Sequence, residues 1–136
     1  MPALYTATAT ATNGRTGSIR SDDGHLSHPL SMPKELGGPG GEGTNPEQLF
    51  AAGYAARFGS ALGLVARSKK IAIGEVAITA KVGLVKDETS FKLEVTLHGD
   101  FKSIPPDQAH ELMEAAHAVC PYSKATRGNI TVTLTP

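Results

Sequence analysis

NPEQLFAAGYAARFGSALGLVAR, Asn45 to Arg67, is the stretch on which the fold turns. It begins as a helix begins. Asn45 precedes a proline, which pushes it out of helical geometry and into the role of N-cap. Pro46 suits the first helical position, and Gln48 sits where a capping-box partner reaches back. Almost uninterrupted apolar and small residues then follow for about five turns. Between Glu47 and Arg67 the one formal charge is Arg57, with Gly53, Tyr54, Ser60 and Ala61 one turn away on either side. A helix apolar all round is a buried helix, so the pattern predicts near-complete burial of Arg57. A buried guanidinium then needs a partner or a pocket that water reaches.

Upstream, Leu4 to Thr12 alternates threonine and alanine as a strand does. Asn13-Gly14 signals a type I′ hairpin, which returns the chain as Arg15 to Ser21 with Arg15 just after the turn. Asp22-Asp23-Gly24 turns again, and His25 to Leu30 makes a third strand before Pro29 and Pro33 interrupt pairing. Downstream, Ser68-Lys69-Lys70 ends the helix with charges that suit its dipole. Val76 to Leu84 and Phe91 to Leu97 alternate on either side of Lys86-Asp87-Glu88, as two strands of a hairpin. Pro105-Pro106-Asp107 opens a second helix, with Ala109, Leu112, Met113, Ala116, Val119 and Cys120 on one face. Pro121 stops it, and after a loop Ile130, Val132 and Leu134 form a last strand. The order predicts an α+β fold, antiparallel strands packed around a long buried central helix and a second helix. Gly59 and Gly63 leave a groove one turn apart, and one small sheet does not cover so apolar a helix. A homodimer that jointly buries its central helices follows.

With 136 residues the chain is read as one domain, 1–136, burying roughly two-thirds of its unfolded surface. Thirteen basic residues balance thirteen acidic ones without a like-charged run, which argues against nucleic acid or a membrane surface as partner. Neither a secretory leader nor a spanning segment is read, and cytoplasmic localisation is the default. The single cysteine, Cys120, excludes an intramolecular disulfide.

Several side chains carry possible chemistry. The glycines of Glu35 to Thr44 suggest a phosphate loop, but the lysine and hydroxyl that should follow are replaced by Thr44-Asn45-Pro46. A loop needing positive φ or close backbone approach is the favoured reading. His110, Glu114 and His117 share a helix face, and His117 with Cys120 has a metal-compatible spacing; without further ligands they read as a solvated face. Cys120 alone reads as a buried structural thiol, Arg15 as a surface residue, and Glu47 as a helix-dipole partner.

LYTATATATNGR, LSMPKELGGPGGEGTNPEQLFAAGYAA and AHAVCPYSKATRGNI, in this order and reaching from Leu4 nearly to the end, resemble the organic hydroperoxide resistance proteins of the osmotically inducible protein C superfamily. The resemblance implies an intertwined homodimer with two active sites at the subunit interface, each reducing organic hydroperoxides, including those of fatty acids, to alcohols. It implies no bound cofactor. The reductant it implies is a dihydrolipoyl thiol, presented by a lipoylated protein. Its mechanism uses a peroxidatic cysteine in AAGYxACF and a resolving one in VCPYS. The second is Cys120; at the first stands Arg57, in AAGYAARF. Arg15 and Glu47 match the pair that flanks the thiolate. A chain with Arg57 there cannot complete the two-cysteine cycle. Arg57 should either take Glu47 from Arg15 or turn to solvent. Three roles follow: a peroxidase disabled at position 57, a non-catalytic protein holding an anionic or lipid-like ligand, or, weakest, a single-thiol peroxidase using Cys120.

Overall fold

The computed structural model describes residues 1–136 as two compact units, Met1–Leu49 and Phe50–Pro136. In the first, β1 (Ala9–Thr12), β2 (Ser18–Ser21) and β3 (Ser27–Pro29) form an antiparallel meander in the order β1-β2-β3. Asn13 and Gly14 both take the positive φ that the hairpin signal demands, at 62° and 56°. The turn is longer than predicted, however. Thr12 pairs with Ser18, and a 3₁₀ turn over Gly14–Thr16 fills the connection, so Arg15 stands in that turn and not in the returning strand. The regular part of the first strand is also shorter than Leu4–Thr12, because the register with β2 ends at Ala9 and Ser21.

The glycine-rich loop folds back on Leu30–Pro33. Gly43 N–H donates to Ser31 Oγ at 2.8 Å, Gly40 N–H to the Met32 carbonyl at 3.0 Å, and Thr44 N–H to the Pro29 carbonyl at 3.0 Å. A Cβ at Gly43 would lie 2.6 Å from Ser31 N, so the glycine is there for close approach. These amides are spent on the loop's own closure, which agrees with the reading against a phosphate cradle.

Helix α1 (Pro46–Ser68) starts as the sequence predicts, with Gln48 N–H donating to Asn45 Oδ1 at 2.9 Å. The Gln48 side chain departs from the capping box: its Oε1 accepts from Thr44 Oγ1 at 2.8 Å. At the far end Lys70 adopts φ 58°, with Ile71 N–H donating to the Ala66 carbonyl at 2.9 Å and Lys70 N–H to that of Arg67 at 3.1 Å. That is a Schellman ending with lysine in the place glycine usually takes.

The second unit holds most of α1 and a three-stranded sheet in the order β4-β5-β6. β4 (Val76–Lys86) and β5 (Phe91–Phe101) form the predicted hairpin, paired from Val76 and Phe101 down to Lys86 and Phe91. Asp87 closes its tip by accepting from the backbone of Thr89 and Ser90 at 3.0 and 2.6 Å. β6 (Val132–Thr135) pairs with β5 in parallel, which corrects the expectation of antiparallel strands throughout. The reason lies in the connection: α2 (Pro106–Val119) and a further helix α3 (Pro121–Thr126) carry the chain back across the sheet, as a parallel pairing requires. α3 replaces the predicted loop. Pro121 ends α2 but is equally suited to a first helical position, and Cys120 before it is extended, with φ −68° and ψ 127°.

Tyr54, Phe58 and Leu62 of α1, Val95 and Leu97 of β5, Leu112, Met113 and Ala116 of α2, and Cys120 after it make the core. The fold is α+β. Within a single chain α1 is covered on one side only. Only 33% of its most apolar 18-residue window is buried in the chain, and its inward stripe is Tyr54, Phe58, Ala61, Leu62 and Ala66. Arg57 lies off that stripe and is exposed, as is Leu64 at 56%. The sheet and helices of one chain cover one side of α1 and leave the other bare.

Candidate functional site

Arg57 follows Gly53 by one turn of α1. A Cβ at Gly53 would be 3.4 Å from Tyr122 Cε2, so the missing side chain lets the tyrosine ring of α3 lie against the helix. Arg57 enters none of the ion pairs, which join His25 to Asp23, Lys102 to Asp100 and His110 to Glu114. Of the two placements foreseen for it, the side chain takes the one in solvent. Within the single chain the outer face of α1 has nothing over it, and Arg57 has no buried partner there.

Cys120 occupies the corner between α2 and α3 and is 1% exposed, as its apolar stripe predicts. Its N–H donates to the Ala116 carbonyl at 2.9 Å and its carbonyl accepts from Lys124 N–H at 3.0 Å. Arg15 is exposed in the 3₁₀ turn of the first unit, and Glu47 is half-buried in the first turn of α1. Arg57 and Cys120 both belong to the second unit.

Around the Cys120 corner runs a chain of hydroxyls. Tyr54 OH shares hydrogen bonds with Ser123 Oγ at 2.8 Å and Thr126 Oγ1 at 3.1 Å, and all three residues are buried. Ser123 Oγ also meets His117 Nδ1 at 2.7 Å, while Arg127 Nη1 donates to the His117 carbonyl at 2.9 Å. His117 is thus only half on the solvated face expected of it. Its pKa falls below the ordinary histidine value, first because burial disfavours the charged ring, then because Arg127 repels a second positive charge; Glu114 opposes both. His110 and Glu114 stay in solvent, 3.3 Å apart. No group of three or more His, Cys, Asp or Glu side chains is placed to hold a metal ion.

Tyr54, Ser123 and Thr126 escape a reading based on periodicity, which places Tyr54 in the core and the other two in a loop. A signal exists nonetheless: a buried tyrosine must find a partner for its hydroxyl. Ser123 and Thr126, three residues apart in YSKAT, offer two on one helical face.

The fold is that of an OsmC-like protein: the family model described as OsmC-like protein matches residues 38–135. The organic hydroperoxide resistance protein of Xanthomonas axonopodis pv. citri is 52% identical over 133 residues, covering 97% of this chain and 94% of the relative. Among solved structures, organic hydroperoxide resistance protein OhrB of Bacillus subtilis superposes with a TM-score of 0.89 at 51% identity, covering 98% of each chain. An organic hydroperoxide resistance protein of Legionella pneumophila gives 0.91 at 50% identity, covering 98% of this chain and 97% of that one. The chain belongs to the organic hydroperoxide resistance proteins of the OsmC-like family.

Proposed function

We propose that this chain descends from a lipoyl-dependent thiol peroxidase of organic hydroperoxides and is inactive or strongly impaired in the two-cysteine cycle, because Arg57 occupies the position where the resemblance calls for the nucleophile. The observation that carries this reading is the pairing of an exposed arginine on α1 with a single thiol, Cys120, that is itself buried. A thiolate is the attacking species in such chemistry, and an arginine cannot supply one. Arg15 and Glu47 are then the polar pair that would flank the sulfur in an active relative. The bare side of α1 supports a homodimer as the working form.

The substitution Arg57→Cys tests the reading. In that variant the thiolate attacks the terminal oxygen of the hydroperoxide, the O–O bond breaks, and the alkoxide leaves and takes a proton to become the alcohol. The sulfenic acid left on residue 57 is then attacked by the Cys120 thiol, forming the disulfide and releasing water. A dihydrolipoyl dithiol reduces that disulfide by exchange and is itself oxidised to the cyclic disulfide. Consumption of an organic hydroperoxide with this reductant is expected to rise by at least roughly a hundred-fold in Arg57→Cys, the direction seen in reverse when a covalent enzyme loses its nucleophile. Equal turnover in both forms would remove position 57 from the mechanism. Inactivity in both would favour the second reading, a non-catalytic protein that keeps an anionic or lipid-like ligand; the exposed, unpaired guanidinium of Arg57 is the observation on its side.

A further inference from the structure

We propose that Tyr54, Ser123 and His117 form a latch that holds α3 over Cys120 and sets how often this thiol meets solvent. α3 has 6 residues, far fewer than the dozen or so an isolated helix needs. Its stability must come from what it packs against. Yet its two buried side chains, Ser123 and Thr126, are hydroxyls and not apolar anchors. Their anchorage is polar: Tyr54 OH lies 2.8 Å from Ser123 and 3.1 Å from Thr126, and His117 Nδ1 is 2.7 Å from Ser123. The proton count closes in one direction with His117 donating to Ser123, Ser123 to Tyr54, Tyr54 to Thr126, and Thr126 to the Ser123 carbonyl at 3.2 Å. In the reverse direction, with Tyr54 donating to Ser123 and Ser123 to the imidazole, the single Thr126 proton reaches either Tyr54 OH or the Ser123 carbonyl, and one of the four contacts goes unmade. No buried side-chain nitrogen or oxygen is left without a partner.

Cys120 immediately precedes α3, and its carbonyl takes the helix's first bond, from Lys124. Lifting α3 therefore frees that carbonyl, and in the proposal the same motion gives solvent its way to the sulfur. Local opening of this kind is governed by the contacts of the segment that moves, and here those are the three hydrogen bonds of the latch together with the edge-to-face packing of Tyr122 on Tyr54, ring centroids 5.8 Å apart, which Tyr54→Phe leaves in place.

The chain's single cysteine makes the test direct. Alkylation of Cys120 by iodoacetamide, an uncharged reagent, is followed by mass spectrometry at one pH on the full-length protein and on Tyr54→Phe and Ser123→Ala. Each loses about one neutral hydrogen bond or more, so each is expected to label roughly five- to ten-fold faster. The double variant should show less than the product of the two effects, since both remove the same Tyr54–Ser123 bond. Labelling in low urea separates a latch from general weakening: opening of α3 alone exposes little surface and depends on urea far less than global unfolding does. Val132→Ala, a destabilised control in β6, should label at the parent's rate in the absence of urea. Labelling of Tyr54→Phe at the parent's rate, or with the urea dependence of global unfolding, would overturn the proposal. Neither peroxide nor a change at position 57 enters the assay, so failure of the Arg57→Cys experiment leaves it intact.

Discussion

His117 is where a single side chain makes the protein sensitive to pH. Its folded pKa lies below the ordinary value because burial and Arg127 both disfavour the imidazolium, so as pH falls the unfolded chain takes up this proton first. The contribution of neutral His117 is thus complete above about pH 6.5 and is lost as pH drops through the lower, folded value. Urea unfolding midpoints measured at about pH 7 and pH 5 should therefore fall less in His117→Asn than in the parent. An identical fall in both would show that the histidine is not the group responsible. Asp23 and Asp87 have pKa values lowered by hydrogen bonds, first from the Ser21 hydroxyl and the Ser90 amide respectively. Their contribution is present above the ordinary carboxylate range and lost as pH falls through the folded values, a window well below that of His117.

At the scale of elements, the two ends of α1 are opposite cases. Asn45 is an optimal cap in use, and Asn45→Ala is expected to lower stability by about 1 kcal/mol. Lys70 carries positive φ where glycine fits without penalty, and Lys70→Gly is expected to raise stability by up to about 1 kcal/mol. Thermal melts of the two variants should move in opposite directions; a downward shift for both would mean that the Lys70 side chain makes a contact worth more than its backbone strain. The cap was legible in the sequence because Asn45-Pro46 is a local signal, and the β4–β5 hairpin because its alternation is local too. The direction of β6 was not, since strand pairing is decided by the path of the connection and not by the strand's own residues. α3 was hidden behind Pro121, which reads with equal justice as a stop or a start. The depth of Arg57 was not legible, because apolar composition says that a helix will be covered without saying by which molecule. The latch was missed because its members are 63 or more positions from Tyr54 in the chain, beyond any periodicity, as the Tyr54–Ser123 separation of 69 residues shows.

For the whole molecule, the exposed stripe of Ala56, Arg57, Ser60, Leu64 and Arg67 on α1 is the surface that the proposed homodimer would cover. Sedimentation of the parent as a dimer, and of Leu64→Glu shifted toward monomer, is the expected pair of results, because a carboxylate buried at a subunit contact without a partner is costly. A parent that sediments as a monomer at all concentrations would sink the dimer. The parallel pairing of β5 with β6 has a kinetic side as well. His98 and Thr135, bonded at 2.7 Å across these strands, are 37 residues apart in the chain, and everything between them must find its place before the contact can form. The β4–β5 hairpin needs no such wait, since its strands meet across a tight turn. Loop-closure entropy therefore makes the last strand the slow partner of the sheet, and until it arrives one flank of β5 has its amides and carbonyls open to any other extended chain. A nascent or partly unfolded copy of this protein is most prone to self-association along that flank.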